Sequence, residues 1–245
     1  MLGMTTNHDP GTSGVKEIAE ALGGGIRENS LVIIEGEAKT GKSVLCQHIA
    51  FGVLHSKGGA VAYYSSDYNS QTLVAQMDSM CLDIRHDLVT DLLRTYKMAT
   101  ANALQEPDKF FKLIFKHVEA LPPRFKLIII DSISELMLRL NSTVKMDFLQ
   151  TYKEMCERER SFILTLHPHV LENKIKIRIY EMSDYYLRLA SPNMMLGKGQ
   201  IDTRVIKTLE VIKLAGAERH NQEILRFEIK PRVGMQILPF VKIKV

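Results

Sequence analysis

Residues Gly36 to Ser43, reading Gly-Glu-Ala-Lys-Thr-Gly-Lys-Ser, constrain this chain more than any other stretch. Two glycines with four residues between them, followed by Lys and Ser, form the pattern of a phosphate-binding loop. The flanks agree: Leu31–Glu35 is an apolar run of strand length, and Val44–His55 reads as a helix. A strand that delivers such a loop into a helix aims main-chain N–H groups, and the positive end of the helix dipole, at an anion. Gly36, Glu37, Ala38, Lys39, Thr40, Gly41, Lys42, Ser43 and the helix residue Val44 are therefore expected to form a nucleotide-phosphate site. The Lys42 ammonium would neutralise the β- and γ-phosphates, and the Ser43 hydroxyl would ligate Mg²⁺.

Magnesium needs a carboxylate as well as that hydroxyl. Phe125–Asp131 supplies it at the end of an apolar, β-branched run, the pattern of a central parallel strand covered on both faces. Asp131 falls where this strand leaves the sheet, so its carboxylate can face the phosphate crevice. Ser132 can hold a metal-bound water. The competing local role is a cap, with Asp131 or Ser132 opening a helix over Ile133–Leu140.

The 245 residues, 45% of them apolar, suffice for one sizeable core, so residues 16–245 are expected to form a single domain after a flexible segment over 1–15. No apolar run approaches the ~18 residues of a membrane span, and the first ten residues lack a leader's apolar region. Cys46, Cys81 and Cys156 are odd in number and widely spaced, which argues against a disulfide framework or zinc cluster and for reduced thiols in the cytosol. The net charge of +4 is uneven: Lys198–Val245 holds ten Lys/Arg against five Asp/Glu. Such a bias can serve a solvated face, an acidic partner, an anionic headgroup or a neighbouring subunit's phosphates; it is no nucleic-acid signature by itself.

Along the chain, strands and helices alternate. Ala60–Tyr64 reads as a second strand, Gln71–Met80 as a helix and Leu93–Met98 as a short strand. Pro107 opens an amphipathic helix whose Phe110, Phe111, Ile114, Phe115 and Val118 recur at helical spacing, as core residues rather than a base-stacking platform. Lys145–Arg160 is expected to be a helix with a solvated Glu157–Arg160 end, and Ser161–Leu166 a buried strand. From Tyr185 onward the pattern changes to Tyr185–Ala190, Arg204–Leu214, Ile224–Lys230 and Met235–Phe240, strands without intervening helices, which suggests an antiparallel extension on one sheet edge with turns at Gly216 and Gly234.

Three further positions can carry chemistry. Asp67, after the second strand, is the nearest carboxylate for orienting an attacking water, although it can equally make an Asx turn or cap the next helix. His167, in His167-Pro168-His169, can sense the γ-phosphate from the sheet end; a metal there is not expected, because no further ligand is clustered nearby in sequence. Lys213, late in the longest C-terminal strand, can reach a neighbouring subunit's phosphates or be an exposed strand lysine.

The turn Ala21–Ile26, the strand ending Ile34-Glu35-Gly36 and the loop after it resemble the entry to a KaiC/RecA-like ATPase domain. Tyr63–Asp67, Ile130–Ser134, Thr165–Pro168 and Ile229–Pro239 extend the resemblance over essentially the whole chain and narrow it to the FlaH family. The fold implied is α/β: a RecA/KaiC-like P-loop domain with a mostly parallel central sheet, flanking helices and a C-terminal antiparallel extension. The function implied is that of an ATP- and Mg²⁺-binding regulatory subunit of the archaellum (archaeal flagellum) motor. Such subunits are thought to form rings, here expected to be hexameric. They sit in the cytoplasm at the membrane-bound motor base with the motor ATPase FlaI and the membrane platform FlaJ.

Departures from the KaiC pattern favour binding over turnover. Ser65 and Ser66 stand where KaiC carries two glutamates, and Lys213-Leu214-Ala215 stands where KaiC has a Lys-x-Arg pair. An arginine finger alone can be worth ~10³-fold in rate. Two other classes compete. An active RecA-type DNA repair or recombination ATPase needs basic loops after the Asp131 and Ser161 strands; Arg139–Lys145 is short, and Lys174–Arg178 alternates cation with apolar residue, as a strand or partner surface also would. A KaiC-like autokinase needs a Ser/Thr acceptor that the sequence does not place. Nucleic acid is not an expected partner.

Overall fold

The computed structural model describes residues 7–8, 16–56, 59–98, 106–191, 206–216 and 223–238. Apart from residues 7–8, the segment 1–15 lies outside them, as do residues 204–205 and 239–240 at the ends of two expected strands. A two-stranded ribbon, β1 (Asn7–His8) against β2 (Ile26–Arg27), brackets the short helix α1 (Lys16–Ala21). The other strands join one nine-stranded sheet in the order β11-β10-β9-β8-β3-β7-β6-β4-β5. These are β3 (Leu31–Gly36), β4 (Ala60–Ser65), β5 (Leu93–Lys97), β6 (Phe125–Asp131), β7 (Ser161–Leu166), β8 (Tyr185–Ala190), β9 (Lys207–Lys213), β10 (Glu223–Lys230) and β11 (Gly234–Leu238).

Five neighbouring pairs, from β8 across to β5, run parallel; β8–β9, β9–β10 and β10–β11 run antiparallel. The expected architecture is present, with one correction. Tyr185–Ala190 is not part of the antiparallel extension: it pairs parallel with β3, Val32 opposite Tyr185, and is the strand on which the extension is built.

Burial explains why the central strands read as unbroken apolar runs. Val32, Ile34, Val61, Tyr63, Leu127, Ile129 and Ile163 enter one core, while Leu31, Ile33, Ala62, Tyr64, Ile128, Ile130 and Leu164 enter the other. Helix α2 (Lys42–Ser56) covers the first face together with α3 (Ser70–Asp78). Its Leu45, Cys46, Ile49, Ala50 and Val53 are all buried, so α2 is an interior helix rather than an amphipathic one. A short helix, α4 (Arg85–Val89), leads into β5.

The second face is covered by α5 (Pro107–Ala120), α6 (Ser134–Arg139), α7 (Ser142–Glu157) and α8 (Asn173–Met182). The α5 aromatics are core, as expected: Phe111 stacks on Phe148 at 4.1 Å between centroids and Phe115 tilts onto Tyr152 at 4.7 Å. Helix α7 begins earlier than its apolar spacing suggests because Asn141 caps it, Oδ1 accepting from the Val144 N–H at 2.9 Å. The Glu157–Arg160 end is not all solvated: Arg160 donates to the carbonyls of Leu121, at 2.8 Å, and Val118.

Helix α8 corrects the reading of Lys174–Arg178. Ile175 and Ile179 are buried one helical turn apart, whereas Ile177 is 61% exposed. Alternation over five residues mimics a strand, but the pair that seals the core is spaced by four. Cys46 and Cys156 are buried and Cys81 is exposed, all three as free thiols. Among the described residues, no helix is long and apolar enough to cross a membrane.

Candidate nucleotide-binding site

Strand order decides what meets the phosphate loop. β7 lies between β3 and β6, and β4 lies beyond β6, so the carboxyl ends of four strands reach one edge together. In register, Ile34 faces Thr165 and Ser65 faces Asp131. A cavity of about 320 Å³ opens there, lined by Ala38, Lys39, Gly41, Lys42, Ser43 and Val44 of the loop and first helical turn, and by Asp67, Asp131, Ser132 and His167. The crevice beyond the carboxyl ends of parallel strands is where ligands of open α/β sheets bind.

Two positions of the loop require glycine. A Cβ on Gly36 would lie 2.6 Å from the Leu189 carbonyl oxygen, and Gly41 adopts φ +106° with a Cβ position 3.1 Å from Ile229 Cδ1. Thr40 closes the turn, its hydroxyl donating to the Glu37 carbonyl at 2.8 Å. Lys42 is buried and donates to the carbonyls of Gly36 at 2.7 Å and Glu37 at 2.9 Å. Burial pushes its ammonium below the ordinary lysine value, and the charge of Asp131 opposes that shift.

Asp131 is clamped by two hydroxyls from neighbouring strands. Tyr63 donates to Oδ2 at 2.8 Å and Thr165 to Oδ1 at 2.7 Å. Burial, followed by the charge of Asp131, drives the Tyr63 phenol well above its ordinary value, so it stays protonated and donates. The helix-cap role does not fall to Asp131: α6 has no side-chain cap at Ile133, and it is Ser132 Oγ that accepts from the Ser134 N–H, at 3.3 Å. Each Asp131 oxygen uses one lone pair on its clamp and keeps another. With Ser43 lining the same cavity, the donor set is two oxygens beside a phosphate cradle, which fits Mg²⁺. Held there by Ser43 and Asp131, the ion would supply positive charge that offsets the charge of bound phosphates.

The other sequence candidates divide. Asp67 is exposed at the cavity, accepting from the Ser66 hydroxyl at 3.0 Å. It does not cap α3; Asn69 does, accepting from the Thr72 N–H at 2.9 Å. His167 also lines the cavity, with Nδ1 buried and lacking a hydrogen-bond partner. Desolvation first, then Lys42 and His169, hold its imidazole below the ordinary value and hence neutral at pH 7. Lys213 does not line this chain's own cavity; its expected reach is to a neighbouring subunit's phosphates, a different cavity. It stands opposite Tyr186, whereas Leu189 is the β8 residue opposite Gly36, three residues or ~10 Å up the strand. Its ammonium donates to the carbonyls of Tyr180 at 2.7 Å and Glu181 at 2.8 Å, at the carboxyl end of α8.

Several lining or supporting groups have no signal in the sequence. Tyr68, Gln76 and Ile229 complete the cavity wall; Gln76 Oε1 accepts from the buried Gln47 of α2 at 2.9 Å. Lys207, buried in β9, donates to the Lys39 carbonyl and so steadies the loop from 168 residues away. A hydroxyl-bearing Thr in an apolar strand, as at Thr165, was the one legible hint of a buried polar task.

Known proteins are similar over nearly the full length. The Archaeal flagellar ATP-binding protein FlaH of Methanocaldococcus jannaschii is 28% identical over 225 residues, covering 90% of this chain and 91% of that protein. Its namesake in Sulfolobus acidocaldarius is 26% identical over 220 residues, covering 88% and 91%. The crystal structure of the flagellar accessory protein FlaH from M. jannaschii superimposes with a TM-score of 0.78 at 25% identity, covering 97% of this chain and all of that one. A KaiC-like protein of Pyrococcus horikoshii shares the fold, with a TM-score of 0.71 at 19% identity, covering 96% of this chain and 99% of that one. The family model described as ATPase: KaiC matches residues 11–242, and this chain belongs to that family.

Proposed function

We propose that this chain is a Mg-ATP-binding regulatory subunit of an archaellum-type motor, binding nucleotide tightly and hydrolysing it slowly or not at all. The observation that supports this most is the pairing of a complete phosphate and metal cradle with an incomplete hydrolytic one. Among the described residues, Lys42, Ser43 and Asp131 share the cavity with an exposed Asp67 and with His167, and no glutamate lines it as a strong base for water. The relatives named as archaeal flagellar ATP-binding proteins support the motor context. In this reading nucleotide occupancy controls assembly with the motor ATPase FlaI and the membrane platform FlaJ, and the chain works as a hexameric ring in the cytoplasm at the membrane-bound motor base.

The test is direct. Lys42→Ala is expected to abolish ATP binding by calorimetry and the effect on the motor partner; normal binding by the variant would remove the phosphate-loop assignment. Purified protein is expected to turn ATP over far below the ~1–10³ s⁻¹ of ordinary enzymes. A rate inside that range would replace the regulatory reading with an enzymatic one. Affinity capture from native membranes is expected to recover a secretion-type ATPase and an integral-membrane platform, and recovery of recombination proteins would overturn the motor assignment. The DNA-binding alternative loses support from α8, whose Ile175 and Ile179 are buried and whose Lys176 lies 3.5 Å from the Glu35 carboxylate.

A further inference from the structure

His167 and His169 have no third ligand near them in the chain, yet the fold brings one. The carboxylate of Glu37, in the phosphate loop 130 residues earlier, and a ring nitrogen of each histidine all lie within 4.8 Å of one another. His169 Nδ1 is 3.8 Å from Glu37 Oε2. The two imidazoles are held together by the short 3₁₀ turn Pro168–Val170, their ring centroids 5.5 Å apart. His167 Nδ1 is buried with no hydrogen-bond partner, an arrangement that costs free energy unless something accepts its lone pair or proton.

We propose that Glu37, His167 and His169 form a binding site for a zinc-class divalent ion, separate from the Mg²⁺ position at Ser43 and Asp131. Two imidazoles and one carboxylate are a donor set that suits zinc and its neighbours in the first transition row, whereas magnesium prefers an all-oxygen shell. Ligand atoms about 2.0–2.1 Å from a tetrahedral ion stand roughly 3.4 Å from one another, so the cluster must contract by about an ångström. It can, because the side chains of Glu37 and His169 are 65% and 62% exposed. Three protein ligands leave a fourth position for water or a phosphate oxygen. Glu37 belongs to the loop and its carbonyl accepts from Lys42, while His167 lines the nucleotide cavity. Ion and nucleotide occupancy are therefore linked, each changing the other's affinity by the same factor.

The experiment uses the untagged full-length chain, titrated with Zn²⁺ against a chromophoric chelator and with Co²⁺ followed by its visible absorption. One equivalent is expected to bind, and His169→Ala and Glu37→Gln are each expected to weaken it at least tenfold. Both altered side chains are exposed, and circular dichroism checks that the fold persists. Zinc uptake by the Lys42→Ala variant is expected to continue, which separates this site from the nucleotide reading. Failure to bind one equivalent, or wild-type affinity in His169→Ala, would overturn the proposal.

Discussion

Lys42, Lys207 and Lys213 all donate to main-chain carbonyls, but at the carboxyl edge of the parallel strands Lys42 and Asp131 also line an open cavity, which Lys207 and Lys213 of the antiparallel strands do not. Both regions use partly or wholly desolvated ammonium groups, and burial lowers the lysine value in each. The difference lies in what else is near. Lys42 faces a carboxylate and an anion-sized space, so its charge is available to a ligand. Lys213 tops the α8 carboxyl end, where a cation complements the helix dipole. A lysine in the right strand is thus no evidence of a phosphate contact until its partner is known.

Variants can break this contrast in descending order of effect. Lys42→Ala removes a buried ammonium from the cavity and should abolish nucleotide binding by calorimetry, a loss of at least about a hundredfold in affinity. Next is the latch between the two regions: His48 of α2 accepts from the Met235 N–H at 3.0 Å, and a Cβ on Gly234 would lie 2.3 Å from His48 Nε2. Burial lowers its imidazole from 6.5 to about 4. The unfolded chain therefore binds more protons between those values, so stability is full above pH 6.5 and falls as pH drops toward 4, by about 3 kcal/mol in total. Denaturant midpoints from pH 7 to pH 4 measure it, and His48→Gln should flatten the slope.

Smaller effects sharpen the comparison. Asp131→Asn keeps acceptors for Tyr63 and Thr165 in part but loses the charge, so the affinity gained on adding Mg²⁺ should fall about tenfold, measured as the ratio of nucleotide affinities with and without the ion. Lys213→Met should lower unfolding stability by about 1 kcal/mol and leave monomeric nucleotide affinity unchanged. Lost affinity in the monomeric variant would place Lys213 at its own chain's phosphate site, and a loss confined to the assembled ring would place it at a neighbour's.

The site was legible where its chemistry is local. Gly36 to Ser43 sit in eight consecutive residues, and Asp131 ends a seven-residue apolar strand. The α8 helix was not legible, because Lys174–Arg178 alternates at a strand period over too few residues to expose the spacing of Ile175 and Ile179. Nor was the placement of Tyr185–Ala190. An isolated apolar run carries no direction, and only pairing with β3 made it parallel.

The sequence by itself determined the strand–loop–helix cradle, the carboxylate at a strand end and the two-faced apolar sheet, since each follows from periodicity and turn chemistry within about ten residues. Tertiary structure alone decided that Tyr63 and Thr165 clamp Asp131, that Lys207 supports the loop through the Lys39 carbonyl, and that Glu37 meets His167 and His169. Those groups are 34 to 168 residues apart, and only strand order and register set which of them end at the same edge.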